Sequence, residues 1–284
     1  MSNVDVHRWR LPSQQVGEFS ITAISDGYLG ASLDFLANIA PTEAVRLQLA
    51  AGISEPASIH INCYLVRGRG RTILIDAGAG GFNQWGGELL THLALAGVQP
   101  DEIDTILLTH AHPDHIGGLL NASGEMAFAN AELVVDPREL AFWEDDSHLG
   151  QASERARGNF LLARRVFERY RQNLRPLTTN DVLPGVSAMP LPGHTVGHCG
   201  YRFESAAGSL LVWGDIVHFP QIQIARPDVT IAFDLDPLLS AATRTRLLDV
   251  ASSDNLMIAG MHLGALGFAH IKRSGNTYTI AYEV

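Results

Sequence analysis

The residues best suited to chemistry lie at His110-Ala111-His112-Pro113-Asp114-His115, directly after the apolar run Ile106-Leu107-Leu108-Thr109. Three imidazoles and a carboxylate fall within six residues, at the end of a predicted buried strand, in a chain with only 12 His. Nitrogen and carboxylate ligands packed this tightly suit zinc or another first-row cation. Other polar residues sit where apolar runs stop. His194 lies in Leu191-Pro192-Gly193-His194-Thr195, Asp215 in Leu211-Val212-Trp213-Gly214-Asp215, and His262 in Met257-Ile258-Ala259-Gly260-Met261-His262. Singly, His194 reads as a structural loop histidine, Asp215 as a turn or cap residue, and His262 as a partner for a buried backbone group. Together with the hexapeptide they read as one site fed from several strand ends. No Gly-x-Ser-x-Gly elbow suggests a serine nucleophile.

The elements that must position these residues alternate along the chain. Strands are predicted at Phe19–Ser25, Ile59–Val66, Thr72–Ile75, Thr105–Thr109, Leu133–Val135, Val186–Met189, Gly200–Phe203, Leu210–Trp213, Leu256–Gly260 and Thr277–Glu283. Helices are predicted at Glu88–Ala96, Pro137–Glu144, Ser153–Asn173 and from Asp236-Pro237 to about Ser252, where Asp supplies an N-cap and Pro the first turn. Asp76-Ala77-Gly78-Ala79-Gly80-Gly81 matches no phosphate-binding fingerprint and reads as a tight turn beside the site. Several strands run in succession, which predicts an α/β (α+β) chain of two sheets with helices outside, rather than one doubly wound sheet. The expected organisation is a single domain over 1–284.

The chain has 284 residues, 46% hydrophobic and 18% charged, as expected of a folded protein with a large core. Its 30 acidic against 20 basic residues give a net charge of −10, which argues against nucleic acid as a partner. The N-terminal stretch Met1–Arg8 has no apolar segment of a signal peptide, and no run approaches the ~18 residues of a membrane span. Cys63 and Cys199 read as small buried hydrophobes in a reducing compartment. The expectation is a cytoplasmic protein without a membrane partner.

The pattern H-x-H-x-D-H, then G-H-T, W-G-D and a late strand-terminal His resembles the metallo-β-lactamase superfamily over nearly the whole chain. That resemblance implies an αββα sandwich of two mixed sheets, with two Zn²⁺ at one edge (or Mn, Co or Fe). It implies that His110, His112 and His194 hold one metal, that Asp114, His115 and His262 hold the other, and that Asp215 bridges both. A hydroxide shared by two cations would then be the nucleophile. Asp114 would also accept a proton.

Further stretches, Ile61-Asn62-Cys63-Tyr64-Leu65-Val66, Leu74-Ile75-Asp76-Ala77-Gly78, Trp213-Gly214-Asp215-Ile216-Val217-His218, Ala225-Arg226-Pro227-Asp228-Val229 and Gly260-Met261-His262-Leu263, resemble the methyl parathion hydrolase-like branch. Acyl-homoserine lactonases are its neighbours. The resemblance implies hydrolysis of a lactone, carboxylic ester or phosphotriester, and homodimerisation. His218 stands where lactonase relatives place a tyrosine that touches the substrate carbonyl, and an imidazole can donate a similar hydrogen bond. The loop Leu263–Phe268 is poorer in aromatics and proline than an aryl organophosphate hydrolase suggests.

Alternative chemistries on the same fold are a β-lactamase-type amide hydrolase and a mono-iron sulfur dioxygenase. Flavo-diiron relatives carry Glu where His112 stands. Asp76 could orient a ligand histidine or cap the glycine turn. His198 reads as structural, while His60 and His270 could support the ligands from behind or be merely surface residues, and read as the latter. Phe35, Leu36, Trp143, His148 and Phe268 are candidate pocket walls, and residues 34–58 a flap or dimer contact.

Overall fold

A computed structural model describes residues 11–206 and 208–283. Met1–Arg8, read above for a targeting signal, lies outside the described residues. Two seven-stranded sheets form the centre. The first runs, in spatial order, Ser13–Val16, Phe19–Gly30, Ser58–Gly68, Arg71–Ile75, Thr105–Leu107, Glu132–Val135 and Leu174–Pro176. The second runs Thr277–Tyr282, Phe268–Ser274, Met257–Ala259, Gly208–Val212, Cys199–Ser205, Val186–Pro190 and Asp181–Leu183.

Alternation along the strands sets which layer each side chain joins. Tyr64 and Val66 face the second sheet, while Cys63 and Leu65, alternating with them, face the helices. Ile73 and Ile75 likewise oppose Leu74, and Leu210 and Val212 oppose Leu211. The result is three stacked apolar layers. One lies between the sheets, one under helices Leu89–Leu95, Pro137–Glu144 and Glu154–Arg169, and one under helix Pro237–Ser253. Each aliphatic side chain fully removed from water there contributes about 1.5–3 kcal/mol. This is the αββα sandwich that the sequence pattern implied.

Strand direction brings the polar ends together. Arg71–Ile75 and Thr105–Leu107 are parallel, so Asp76 and His110 emerge at the same edge. Gly208–Val212 and Met257–Ala259 are parallel, so Asp215 and His262 do the same. Val186–Pro190 points the same way through two antiparallel steps, which adds His194. Cross-sheet hydrogen bonds clamp the two edges: Asn62 N–H to Met261 O at 2.8 Å, Cys199 N–H to Thr109 O at 3.0 Å, and Tyr201 O–H to Leu108 O at 2.8 Å.

Some boundaries depart from the sequence reading. The strand from Phe19 continues past Ser25 to Gly30, through a bulge between Ser25 and Gly27. Helix Glu154–Arg169 is shorter than Ser153–Asn173, because Ser153 is its cap and Tyr170–Asn173 turns off. Strand Phe268–Ser274 was not foreseen; its exposed end Lys272-Arg273-Ser274 hides the alternation. Helix Pro41–Ala50, inside the 34–58 segment, was not foreseen either. It packs Ala44 and Leu47 onto Phe219 and Ile222, against the segment that follows Asp215. Both cysteines are free and buried. No helix among the described residues is long and apolar enough to cross a membrane.

Candidate metal centre

His110 Nε2, His112 Nδ1 and His194 Nε2 converge, separated by 3.0, 2.9 and 3.2 Å. Each lies against the other two, so the three nitrogens cannot all be satisfied as mutual donors and acceptors. For tetrahedral ligands about 2.0–2.1 Å from zinc, neighbouring donors stand about 3.3 Å apart, close to this spacing. Asp114, His115, Asp215 and His262 form a second group, with His115 Nε2 and His262 Nε2 each 3.5 Å from Asp114 Oδ2. Asp215 Oδ2 lies between the groups. It is 3.2 Å from His115 Nε2 and His262 Nε2, 3.4 Å from His194 Nε2 and 3.7 Å from His110 Nε2. Asp215 Oδ1 is buried with no hydrogen-bond partner among the described residues. The donor set therefore fits a pair of cations: imidazole and carboxylate only, with one carboxylate oxygen common to both groups.

The rings are held from behind. His115 Nδ1 lies 2.6 Å from Asp76 Oδ2, His194 Nδ1 2.9 Å from Asp234 Oδ1, and His262 Nδ1 2.8 Å from the His60 carbonyl. Each acceptor can take the Nδ1 proton, which in the neutral ring frees Nε2 for a cation. Asp76 thus orients His115 rather than capping the glycine turn. It adopts φ +56, and its carboxylate also accepts from the Thr109 N–H and hydroxyl. Gly78 is obligatory beside it: φ is +69 and a Cβ there would come within 2.4 Å of the Asp26 carboxylate. His198 is structural, as expected, but it acts on the site. Its Nδ1 donates to Leu191 O at 2.7 Å, and its Nε2 accepts the Asp215 N–H at 2.9 Å.

Charge follows the same geometry. Burial alone would lower His115, but Asp215, Asp114 and Asp76 outweigh it and hold the imidazole well above its usual range. Burial also opposes His194, which its hydrogen bonds to Asp215 and Asp234 raise to about 9. Burial would raise Asp215; His115, His262 and His110 instead hold it well below the carboxylate range. Burial keeps His110 and His112 well below the normal histidine range, with neighbouring imidazoles adding to it. The cluster contains anions that gather positive charge and neutral nitrogens that cannot supply it.

Two carboxylates behind the cluster carried no motif. Asp234 is one. Glu139 is the other: wholly buried, it accepts from the Ala111 and Gly197 N–H groups at 3.0 and 2.8 Å, the Thr195 hydroxyl and the Trp143 indole. It ties the His110–His112 loop to the His194 loop.

His218 reaches the cluster itself. Its Nε2 is 3.2 Å from Asp215 Oδ2, and its ring stacks on His262 at 5.2 Å and 25°. It could also share a cation with His194 and Asp215. Burial holds it below the normal histidine range against the pull of Asp215. His60 is buried, not a surface residue, and serves the site through its carbonyl. His270 lies on strand Phe268–Ser274, 3.4 Å from Glu283.

A cavity of about 620 Å³ opens on His112, Asp114, Asp215 and His218. Phe35 and Trp143 line it as expected, joined by Phe82, Trp85, Phe142, Phe160 and Phe233. Leu36, His148 and Phe268 do not. Leu36 packs under helix Pro41–Ala50, His148 leans on Phe142 at 4.6 Å, and Phe268 lies in the inter-sheet core against Tyr64. A second cavity of about 580 Å³ lies beyond His218, against His60 and His262.

A two-sheet sandwich with a His/Asp cluster at one edge, open to a cleft, defines a class of metal-binding folds. The comparisons agree. Residues 59–262 match the family described as the metallo-beta-lactamase superfamily, and the chain belongs to it. An uncharacterized Bacillus subtilis (strain 168) protein, YobT, is 28% identical over 160 residues, 56% of this chain and 63% of that protein. The chain thus spans under two thirds of the length of the curated relatives it matches. Among solved structures, the hydrolase AbOPH of the beta lactamase superfamily is 28% identical with a TM-score of 0.88, covering 96% of this chain and 97% of that one. AidC, a dizinc quorum-quenching lactonase in complex with a product, N-hexanoyl-L-homoserine, shares the fold. Its TM-score is 0.89 at 24% identity, over 96% of this chain and 97% of AidC.

Proposed function

We propose that this chain is a single-domain, dinuclear metal-dependent hydrolase that opens a lactone or cleaves a carboxylic ester or phosphotriester. The observation that carries the reading is Asp215 Oδ2, within 3.2–3.7 Å of nitrogens from both ligand groups. His110, His112 and His194 would hold one cation and Asp114, His115 and His262 the other, with Asp215 shared. Zinc fits this donor set, and the site does not distinguish it by ligand type from Mn, Co or Fe. Bound there, the cations would lower the pKa of water to near neutrality and polarise the scissile carbonyl or phosphoryl oxygen.

The chain's own groups do the rest. Asp114 is the cluster carboxylate most open to the cavity, 13% exposed, and can hold a proton at its free oxygen for the departing alkoxide. His218 lines the same cavity and can donate from its imidazole to the carbonyl oxygen of a bound ester. The aromatic walls exclude bulk water and receive an apolar acyl or aryl group. AbOPH and AidC, named a hydrolase and a lactonase, support the reaction class.

A hydrolysis panel of acyl-homoserine lactones, aliphatic lactones, aryl esters and a phosphotriester, run with metal quantification, tests the reading. Turnover of at least one class, dependent on metal, is expected. Oxygen uptake on a persulfide with one iron per chain would overturn it.

A further inference from the structure

Among the described residues lining the aromatic cavity, Arg155 is the one arginine and there is no lysine. It is the second residue of helix Glu154–Arg169, whose Ser153 cap accepts the Ala156 N–H at 3.2 Å. The guanidinium lies over two rings at once, 5.0 Å from the Phe35 centroid and 5.1 Å from Phe233. Those rings meet edge-on at 5.5 Å. Among the described residues its polar contact is Nη2 to the Ala232 carbonyl at 3.4 Å, and no carboxylate pairs with it. Other arginines of this acidic chain are matched by a carboxylate, such as Arg138 by Asp136 or Arg226 by Asp228.

A guanidinium flattened on aromatic faces is oriented without being neutralised. Its remaining N–H donors keep the fork geometry that fits a carboxylate. The start of a helix of 16 residues adds positive potential at the same place. Glu154 beside it works in the opposite sense, so the rim favours an anion that meets Arg155 directly over one merely near it.

We propose that Arg155 is a specificity residue, and that the preferred substrate carries a carboxylate on the group that fills the aromatic cavity. The reacting bond would lie at Asp114, Asp215 and His218, the apolar part between Phe35, Phe142, Trp143 and Phe233, and the carboxylate at Arg155. This placement of the reacting bond rests on the hydrolase reading above; the anion preference at Arg155 is separable from it.

Two measurements on the metal-loaded enzyme test it. The first compares mono-4-nitrophenyl esters of dicarboxylic acids, succinic to sebacic, with the matching methyl-capped diesters. Arg155→Ala should raise KM for the best acidic ester about three- to tenfold, leave kcat and the neutral ester nearly unchanged, and Arg155→Lys should recover part of the loss. The second is calorimetric binding of phenylalkanesulfonates, which are not hydrolysed, against the corresponding phenylalkanols. Arg155→Ala should weaken the sulfonates alone. Equal losses for charged and neutral ligands would overturn the proposal, because Arg155 would then only support Phe35 and Phe233. Arg155-dependent sulfonate binding without turnover of any ester would sustain it while removing the hydrolase reading.

Discussion

Asp234 Oδ1 lies 2.9 Å from His194 Nδ1, and both side chains are buried. The carboxylate itself is anchored, accepting the Ile231 N–H at 3.2 Å with the buried Arg244 guanidinium 3.9 Å away. Arg244 is fixed in turn by the carbonyls of Ile216, Pro227 and Val229. A chain of polar contacts thus runs from the segment after Asp215 to the back of His194.

Removing the first link should therefore weaken metal binding without unfolding the protein. Asp234→Asn keeps the size but no longer stabilises the Nδ1–H tautomer. Metal affinity should fall by about 10–100-fold. Competition with a chromophoric chelator reads it, while circular dichroism should stay unchanged. Undiminished affinity would show that Asp234 has no hold on His194.

Glu139 bears on stability as well as on the site. Glu139→Ala leaves four buried donors without an acceptor, two backbone N–H groups, a hydroxyl and an indole. A loss of about 3 kcal/mol or more is expected in urea unfolding. A change within ±0.5 kcal/mol, the size typical of a surface substitution, would contradict the role given to it.

Gly214 holds Asp215 in place by what it lacks. Its φ is +62, and a Cβ would fall 2.3 Å from His198 Nε2, the atom that accepts the Asp215 N–H. Gly214→Ala should cost at least about 1–2 kcal/mol from the backbone alone. Metal affinity should drop with it, because Asp215 must shift. A variant with wild-type melting temperature and metal content would refute this.

His218 can be separated from the ligand set. His218→Phe keeps an aromatic ring against His262 and removes the donor. If His218 addresses the substrate, kcat should fall about a hundredfold with metal content unchanged. A matching loss of bound metal would instead make it a ligand alongside His194 and Asp215.

Why some of this was legible in the sequence and some was not has a physical explanation. His110–His115, His194, Asp215 and His262 are recognisable because each follows an apolar run, and parallel strands bring such ends to one edge. Leu210–Val212 and Ile73–Ile75 alternate, so their layers follow from period two. Asp234 and Glu139 carry no such mark. Each precedes or sits in a helix start, where an acidic residue is ordinary, and only the fold turns it inward. The cavity walls come from Phe35, Trp85, Phe142, Phe160 and Phe233, far apart in sequence, so no local pattern could join them. Phe268 looked similar and is core, because its side chain faces the layer between the sheets.

The proposed pair of cations sharing Asp215 is open to direct measurement. Protein freed of metal by chelation and dialysis should hydrolyse none of the lactone, ester and phosphotriester panel. Titrated with zinc, it should bind about two equivalents per chain, with turnover completed as the second is taken up. Full turnover in metal-free protein, or activity complete at one equivalent with no second site, would contradict the account.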